Sequence, residues 1–139
     1  MDITRIQVMC SILKNLLIGF TGKIEYINKP GSWGCCYFMP RKKDDVIYIS
    51  YPSYYELSTL ECSRELKHTL LHEYRHLQQF HILSQYVGYD EAWNIYAALV
   101  ERDGKNENIF EQDAEYYVAG TVCDLKNVVK IVLKSFDLI

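Results

Sequence analysis

The chain has 139 residues, of which 49% are hydrophobic, which is enough to bury a core in one folded domain covering residues 1–139. Its formal net charge is −3 and it has no basic stripe, which argues against a nucleic-acid or anionic-membrane partner. No apolar stretch is long enough to cross a membrane, and the first twenty residues lack the unbroken apolar run of a signal peptide.

The cysteines predict reduced thiols rather than disulfides. Their number is odd, two are adjacent, and none has the C-x-x-C spacing typical of metal and redox sites. Free thiols are usual in the cytosol, so we expect a cytoplasmic protein. The five residues are Cys10, Cys35, Cys36, Cys62 and Cys123.

The first half of the chain predicts one helix followed by a small sheet. Apolar residues recur at three- and four-residue steps over residues 3–20, which predicts an amphipathic helix ending near Gly19 and Gly22. Three short strands follow, separated by turns. They cover residues 23–28, 34–39 and 46–51. Because short connections favour antiparallel hairpins, we expect a three-stranded, mostly antiparallel sheet.

A long helix is predicted next, from residue 60 to about residue 86, ending near Gly88. Ser53 or Ser58 is the expected cap of a helical turn that precedes this helix. One face of this helix carries an apolar stripe that we expect to lie in the core. The stripe consists of Leu66, Leu70, Tyr74 and Leu77.

Further helices are predicted towards the end of the chain. Asp90 is the expected N-cap of a helix over residues 91–102, and Asn108 is the expected N-cap of another helix that continues through Val118. From Cys123 onward the apolar spacing favours a last helix, although the β-branched content leaves a strand as the alternative. The overall pattern predicts an α+β fold.

The long helix contains an H-E-x-x-H motif, His72-Glu73-Tyr74-Arg75-His76. Residues four apart lie on the same face of a helix, so His72 and His76 can direct two imidazole nitrogens at one point. With a third protein ligand they form a three-ligand zinc site with an open position for water. Glu73 is then the expected base that accepts the proton of that water. The alternative interpretation is a solvated helix that contains histidines.

Glu111 is the best candidate for the third ligand. Glu111 and Glu115 share one helical face, and Glu115 is placed to accept a hydrogen bond from a ligating imidazole. Asp113 points to nearly the opposite side. His68 lies one turn before the motif, but three residues at i, i+4 and i+8 of a straight helix cannot all reach one ion, so a supporting or surface role is expected for it. His81 can act as a ligand only if the helix turns sharply. A solvated acidic helix face is the alternative interpretation of these carboxylates.

The H-E-x-x-H motif, together with the E-x-D-A-x-x-Y sequence that begins at Glu111, resembles the gluzincin branch of zincin metallopeptidases. The small ImmA/IrrE-type and phage metallopeptidase domains are the most similar group, although Arg75 stands where those domains usually have a small residue. The resemblance implies a minimal zincin fold, in which an N-terminal helix and a short antiparallel sheet precede the active-site helix. It also implies Zn²⁺ as the cofactor, His72, His76 and Glu111 as its ligands, and Glu73 as the catalytic base.

The predicted function is therefore that of a zinc-dependent metallopeptidase that hydrolyses peptide bonds of a specific protein target. The resemblance implies that the strand over residues 46–51 is an edge strand on which an extended peptide pairs. Candidate oxyanion stabilisers are Tyr74, Tyr116, Tyr117 and Arg75. The alternative function is a zincin-fold binding or regulatory module, metal-bound or not, without peptidase activity.

Overall fold

An N-terminal helix and a three-stranded sheet precede four further helices in the computed structural model, which describes residues 1–139. The helices are α1 (Ile3–Leu13), α2 (Thr59–Val87), α3 (Tyr89–Asp103), α4 (Ile109–Val118) and α5 (Leu125–Ser135). The strands are β1 (Lys23–Ile27), β2 (Gly34–Tyr37) and β3 (Val46–Ser50). This order confirms the predicted α+β class.

The chain divides into two compact units, Met1–Tyr74 and Arg75–Ile139, and helix α2 is continuous through the division. The assignment of residues 1–139 to a single domain stays a prediction. None of the helices combines the length and hydrophobicity needed to cross a membrane.

Helix α1 is shorter than the sequence pattern predicts. Asp2 caps its start by accepting a hydrogen bond from the Arg5 backbone N–H at 2.9 Å. The helix ends at Leu13 and tightens into a 3-10 turn, where the Asn15 side chain donates to the Ile12 carbonyl at 3.1 Å. Side-chain bonds of this kind compete with regular helical bonding, which explains the early end.

Burial lowers the reactivity of two of the cysteine thiols. All five cysteines are free, as predicted. Cys10 is completely buried, and burial raises the pKa of its thiol to about 11. Cys62 is also buried, and its pKa is raised by the same cause. Such thiols stay protonated and unreactive near neutral pH.

The sheet is mixed, so the prediction of a mostly antiparallel sheet is wrong. The strand order is β1-β3-β2, with β1 parallel and β2 antiparallel to the central strand β3. The cause lies in the connection after β1, which passes the end of β3 instead of folding back. Fully buried Ser50 holds this connection, because its hydroxyl accepts a hydrogen bond from the Lys29 N–H at 3.1 Å and its own N–H donates to the Trp33 carbonyl at 3.1 Å.

The central position of β3 corrects a second prediction. Residues 46–51 were expected to provide an edge strand, but β3 is paired on both sides. Its side chains agree with this position, since Ile47 and Ile49 are completely buried. The edge strands of the sheet are β1 and β2.

Strand β2 makes a close approach that only glycine allows. A Cβ atom on Gly34 would lie 2.5 Å from the Tyr48 carbonyl oxygen and 2.7 Å from Cγ2 of Thr69 on α2. Thr69 is itself buried and hydrogen-bonded to the Tyr54 hydroxyl at 2.8 Å. Gly34 therefore lets β2 lie directly against α2, one turn before the H-E-x-x-H motif.

Helix α2 has the predicted extent. Ser58 caps its start, because the Ser58 hydroxyl accepts from the Glu61 backbone N–H at 3.2 Å, and the same hydroxyl donates to the Glu61 carboxylate at 2.9 Å. The helix ends before Gly88, whose φ of 89° favours glycine. The predicted core-facing stripe is buried: Leu66, Leu70, Tyr74 and Leu77.

The remaining helices agree with the sequence pattern except at one cap. Helix α3 starts directly after Gly88, so Asp90 lies in its first turn and the prediction of an Asp90 cap is wrong. Asn108 caps α4, as predicted, by accepting from the Glu111 N–H at 3.1 Å. The last segment is helix α5, capped by Asp124.

Candidate metal centre

Helix α2 places the two motif histidines one turn apart on one face. The orientation of His76 is fixed by aromatic packing, because its ring lies 5.8 Å from that of Phe80 and 6.5 Å from that of Tyr96. Those two rings also contact each other at 4.9 Å, edge to face. His76 is buried, whereas His72 is partly exposed.

Helix α4 brings Glu111 to His76. The Asn108 cap starts the helix, and three residues later the Glu111 Oε1 atom lies 2.9 Å from the His76 Nε2 atom. The structure therefore brings together two of the three residues that the sequence nominates as metal ligands, and the third, His72, lies one helical turn before His76 on α2.

The side chain of Gln79 determines which nitrogen of His76 carries a proton. Its Nε2 group donates to the Phe110 carbonyl and to the Asp113 carboxylate, each at 2.8 Å. Both partners are acceptors, so the amide oxygen must be the Gln79 atom that lies 2.8 Å from His76 Nδ1. Since that oxygen accepts only, this contact favours the neutral ring with its proton on Nδ1, which leaves the lone pair of Nε2 facing Glu111.

This arrangement fits a cation. A lone pair and a carboxylate oxygen at 2.9 Å repel each other unless a proton or a positive ion lies between them. Two ligands at about 2.0–2.1 Å from a tetrahedral zinc ion are about 3.3 Å apart, so His76 and Glu111 need to separate by only a few tenths of an ångström. Two imidazole nitrogens and one carboxylate oxygen also form a usual ligand set for zinc.

The remaining predicted site residues lie nearby on the same helices. Glu73 is half-buried, with its Oε2 atom fully buried. Burial raises the pKa of the Cys35 thiol on β2, and the charge of Glu73 adds to this effect. Glu115 is exposed and lies one helical turn after Glu111 on α4. The predicted hydrogen bond from a ligating imidazole to Glu115 stays a prediction.

A buried ion pair next to His76 was missed by the sequence reasoning. Arg75 Nε donates to Asp113 Oδ2 at 2.7 Å and Arg75 Nη2 to Oδ1 at 3.1 Å, and both side chains are about 4% exposed or less. Asp113 does point away from Glu111, but into the core rather than to solvent. The available signal was its position between Phe110 and Ala114 on the apolar stripe of α4.

Two of the candidate oxyanion stabilisers, Tyr74 and Arg75, make structural contacts. The Tyr74 hydroxyl donates to the Ile18 carbonyl. Arg75 also donates to the Cys123 carbonyl at 2.9 Å, and its guanidinium lies 5.0 Å from the centroid of the Tyr117 ring. The large residue before the second motif histidine is thus accommodated by its own acidic and aromatic partners.

No protein-family model, curated protein or solved structure matches this chain. The resemblance to zincin metallopeptidases therefore rests on the motif residues, and membership of that family stays a prediction.

Proposed function

We propose that this protein is a zinc-dependent metallopeptidase with a minimal zincin fold, which hydrolyses peptide bonds of a specific protein target. The observation that carries the proposal is the 2.9 Å contact between His76 Nε2 and Glu111 Oε1, with His72 one helical turn away. The free thiols support a cytoplasmic location.

His72, His76 and Glu111 are the residues that would hold the ion. When bound, zinc supplies a Lewis acid that polarises the scissile carbonyl and makes water a better nucleophile at neutral pH. The half-buried carboxylate of Glu73, next to His72 on α2, is the group that accepts the proton of the attacking water. Glu73 then delivers this proton to the departing amine.

We place the substrate peptide along β2, which is an edge strand of the sheet. Two observations support this choice over the other edge strand. Gly34 lets β2 lie against Thr69 of α2, one turn before His72. The charge of Glu73 also acts on Cys35 of β2, so the strand borders the proposed base.

The metal content of the purified protein tests the ligand assignment. Wild-type protein purified without added metal is expected to contain one zinc ion per chain by elemental analysis. Glu111→Ala is expected to lose that ion, because two imidazoles alone do not hold it. The matched control is Glu101→Ala, an exposed glutamate on α3 that should leave zinc at full stoichiometry.

The role of Glu73 is tested separately from metal binding. Glu73→Gln is expected to retain zinc and to lower cleavage of a proteome-derived peptide library by at least about 100-fold, since it removes the proton acceptor. Zinc-loaded protein that cleaves nothing, and whose partner binding is unaffected by Glu73→Gln, would overturn the peptidase proposal in favour of a binding or regulatory module.

A further inference from the structure

Gln79 is a buried amide whose three hydrogen bonds are all made to named partners. Its side chain is completely buried. It donates to the Phe110 carbonyl and to Asp113, and its oxygen faces His76 Nδ1, each at 2.8 Å. Exchanging the amide oxygen and nitrogen would set a carboxylate and a carbonyl against an oxygen, so the orientation of this amide is decided by its neighbours.

The neighbour that fixes Gln79 is itself clamped. Arg75 binds both carboxylate oxygens of Asp113, at 2.7 and 3.1 Å, and also donates to the Cys123 carbonyl. A bidentate arginine–carboxylate pair is geometrically rigid. Asp113 Oδ2 accepts from Gln79 as well as from Arg75, so the guanidinium, the carboxylate, the amide and the imidazole form one chain of hydrogen bonds.

Gln79 and Glu111 favour different tautomers of a neutral His76 ring. Gln79 requires a proton on Nδ1, whereas the Glu111 carboxylate, 2.9 Å from Nε2, would be best satisfied by a proton on that nitrogen. A ring protonated at Nε2 cannot bind a metal ion through that atom. The proton on Nδ1 leaves the lone pair of Nε2 directed at the carboxylate of Glu111, the other proposed ligand beside it.

We propose that Gln79, held by the Arg75–Asp113 pair, is a positioning residue that keeps the proton of neutral His76 on Nδ1 and so presents Nε2 to a divalent cation. This inference rests on the proposed metal site for its purpose. The location of the His76 proton, however, can be measured in the protein without metal.

The tautomer of His76 is measured directly by long-range ¹H–¹⁵N NMR on metal-free protein, at a pH at which the ring is neutral. The wild-type protein is expected to show a protonated Nδ1 and an unprotonated Nε2. Gln79→Met keeps the side-chain length but removes the acceptor, and is expected to move the proton to Nε2, where Glu111 accepts it.

Gln78→Met is the matched control, because Gln78 is the adjacent residue of the same type and contacts Arg75 rather than His76. It should leave the tautomer unchanged. Zinc affinity, measured by competition with a chromophoric chelator, should fall by about 10- to 100-fold in Gln79→Met and stay within about 2-fold of wild type in Gln78→Met.

The outcomes separate this inference from the proposed function. A wild-type ring protonated at Nε2 overturns the inference without the use of any variant, so it stays testable if Gln79→Met does not fold. The inference is also overturned if the wild-type protein binds zinc and Gln79→Met has the same His76 tautomer and the same zinc affinity as wild type. In that case the proposed metal site is unaffected. The expected tautomer shift in a protein that binds no zinc supports the inference and overturns the proposed function.

Discussion

The two compact units of this protein use buried polar side chains in different ways. In residues 1–74, Ser50 and Asp45 are buried and bind mainly backbone groups, as in the 2.8 Å hydrogen bond from the Met39 N–H to the Asp45 carboxylate, although buried Thr69 binds the Tyr54 hydroxyl. In residues 75–139, the largest group of buried polar side chains is a set whose members bind one another, although buried Asn108 binds backbone groups. Arg75, Asp113, Gln79 and His76 are consecutive members of one hydrogen-bonded chain.

This difference separates two structural tasks. Polar groups that bind the backbone fix the path of the chain, and here they hold the connection between β1 and β2. Polar groups that bind other side chains fix rotamers, and here they fix the ring of His76. We therefore expect substitutions of Ser50 or Asp45 to change stability alone. Substitutions of Arg75, Asp113 or Gln79 are expected to change stability and metal affinity together.

The largest effect is expected from Asp113→Asn. The change leaves the Arg75 guanidinium buried without its counter-charge, and the loss of one partner of a buried ion pair lowers the free energy of unfolding by about 3–5 kcal/mol. Urea denaturation of metal-free protein measures this change. Asp44→Asn is the control, because Asp44 forms an exposed pair with Arg41 and should alter stability by less than about 1 kcal/mol.

A paired replacement sharpens this prediction. Arg75→Met combined with Asp113→Leu removes both charges and should recover most of the lost stability, because a well-packed apolar pair is often as stable as a buried ion pair. Zinc affinity should stay low in this double variant, since Gln79 has lost its acidic partner. Recovery of wild-type zinc affinity would contradict the link from Asp113 to His76.

A smaller effect is expected from Gly34→Ala in the first unit. The added Cβ would lie 2.5 Å from the Tyr48 carbonyl oxygen, so β2 must shift, and overpacking of this kind lowers stability by about 1–3 kcal/mol. Urea denaturation and zinc competition together test the comparison, because zinc affinity should not change. Lys23→Ala, at an exposed position of β1, should alter stability by no more than about 0.5 kcal/mol.

The smallest effects compare one helix cap from each unit. Ser58→Ala removes the exposed cap of α2 and should lower the midpoint of thermal unfolding by an amount that corresponds to about 1 kcal/mol, with zinc affinity unchanged. Asn108→Ala removes the buried cap of α4, which lies three residues before Glu111, and should lower both stability and zinc affinity. Equal zinc affinity in the two variants would contradict a role for the α4 cap in holding Glu111 beside His76.

The sequence predicted the helical half of the protein well because its signals are local. The Asn108 cap, the apolar stripe of α2 and the extent of α4 are each determined by residues within a few positions of one another. The strand positions were predicted for the same reason. The pairing of the strands was not, because the hydrogen bonds between Ser50 and Lys29 join residues far apart in the chain.

The candidate site shows the same limit. The H-E-x-x-H spacing and the carboxylate of Glu111 were identified from short motifs. The hydrogen-bond partners of His76 were not identified, because the orientation of the Gln79 amide depends on Asp113, which is distant in the chain. Arg75 was noted as a departure from the family pattern, and the structure gives the physical reason: it is the counter-charge of Asp113, 38 residues away in the chain.

The parallel pairing of β1 with β3 has a consequence for the order in which the first unit folds. β1 leaves the ribosome first, yet its hydrogen-bonding partner is made more than twenty residues later, whereas β2 and β3 can join as soon as both are present. Contacts between distant residues form slowly, so the β2–β3 hairpin is expected to assemble first and β1 to dock onto it afterwards. Until then, the backbone groups of one side of β3 are exposed to pairing with other chains, which makes this interval the time at which the newly made protein is most prone to aggregate.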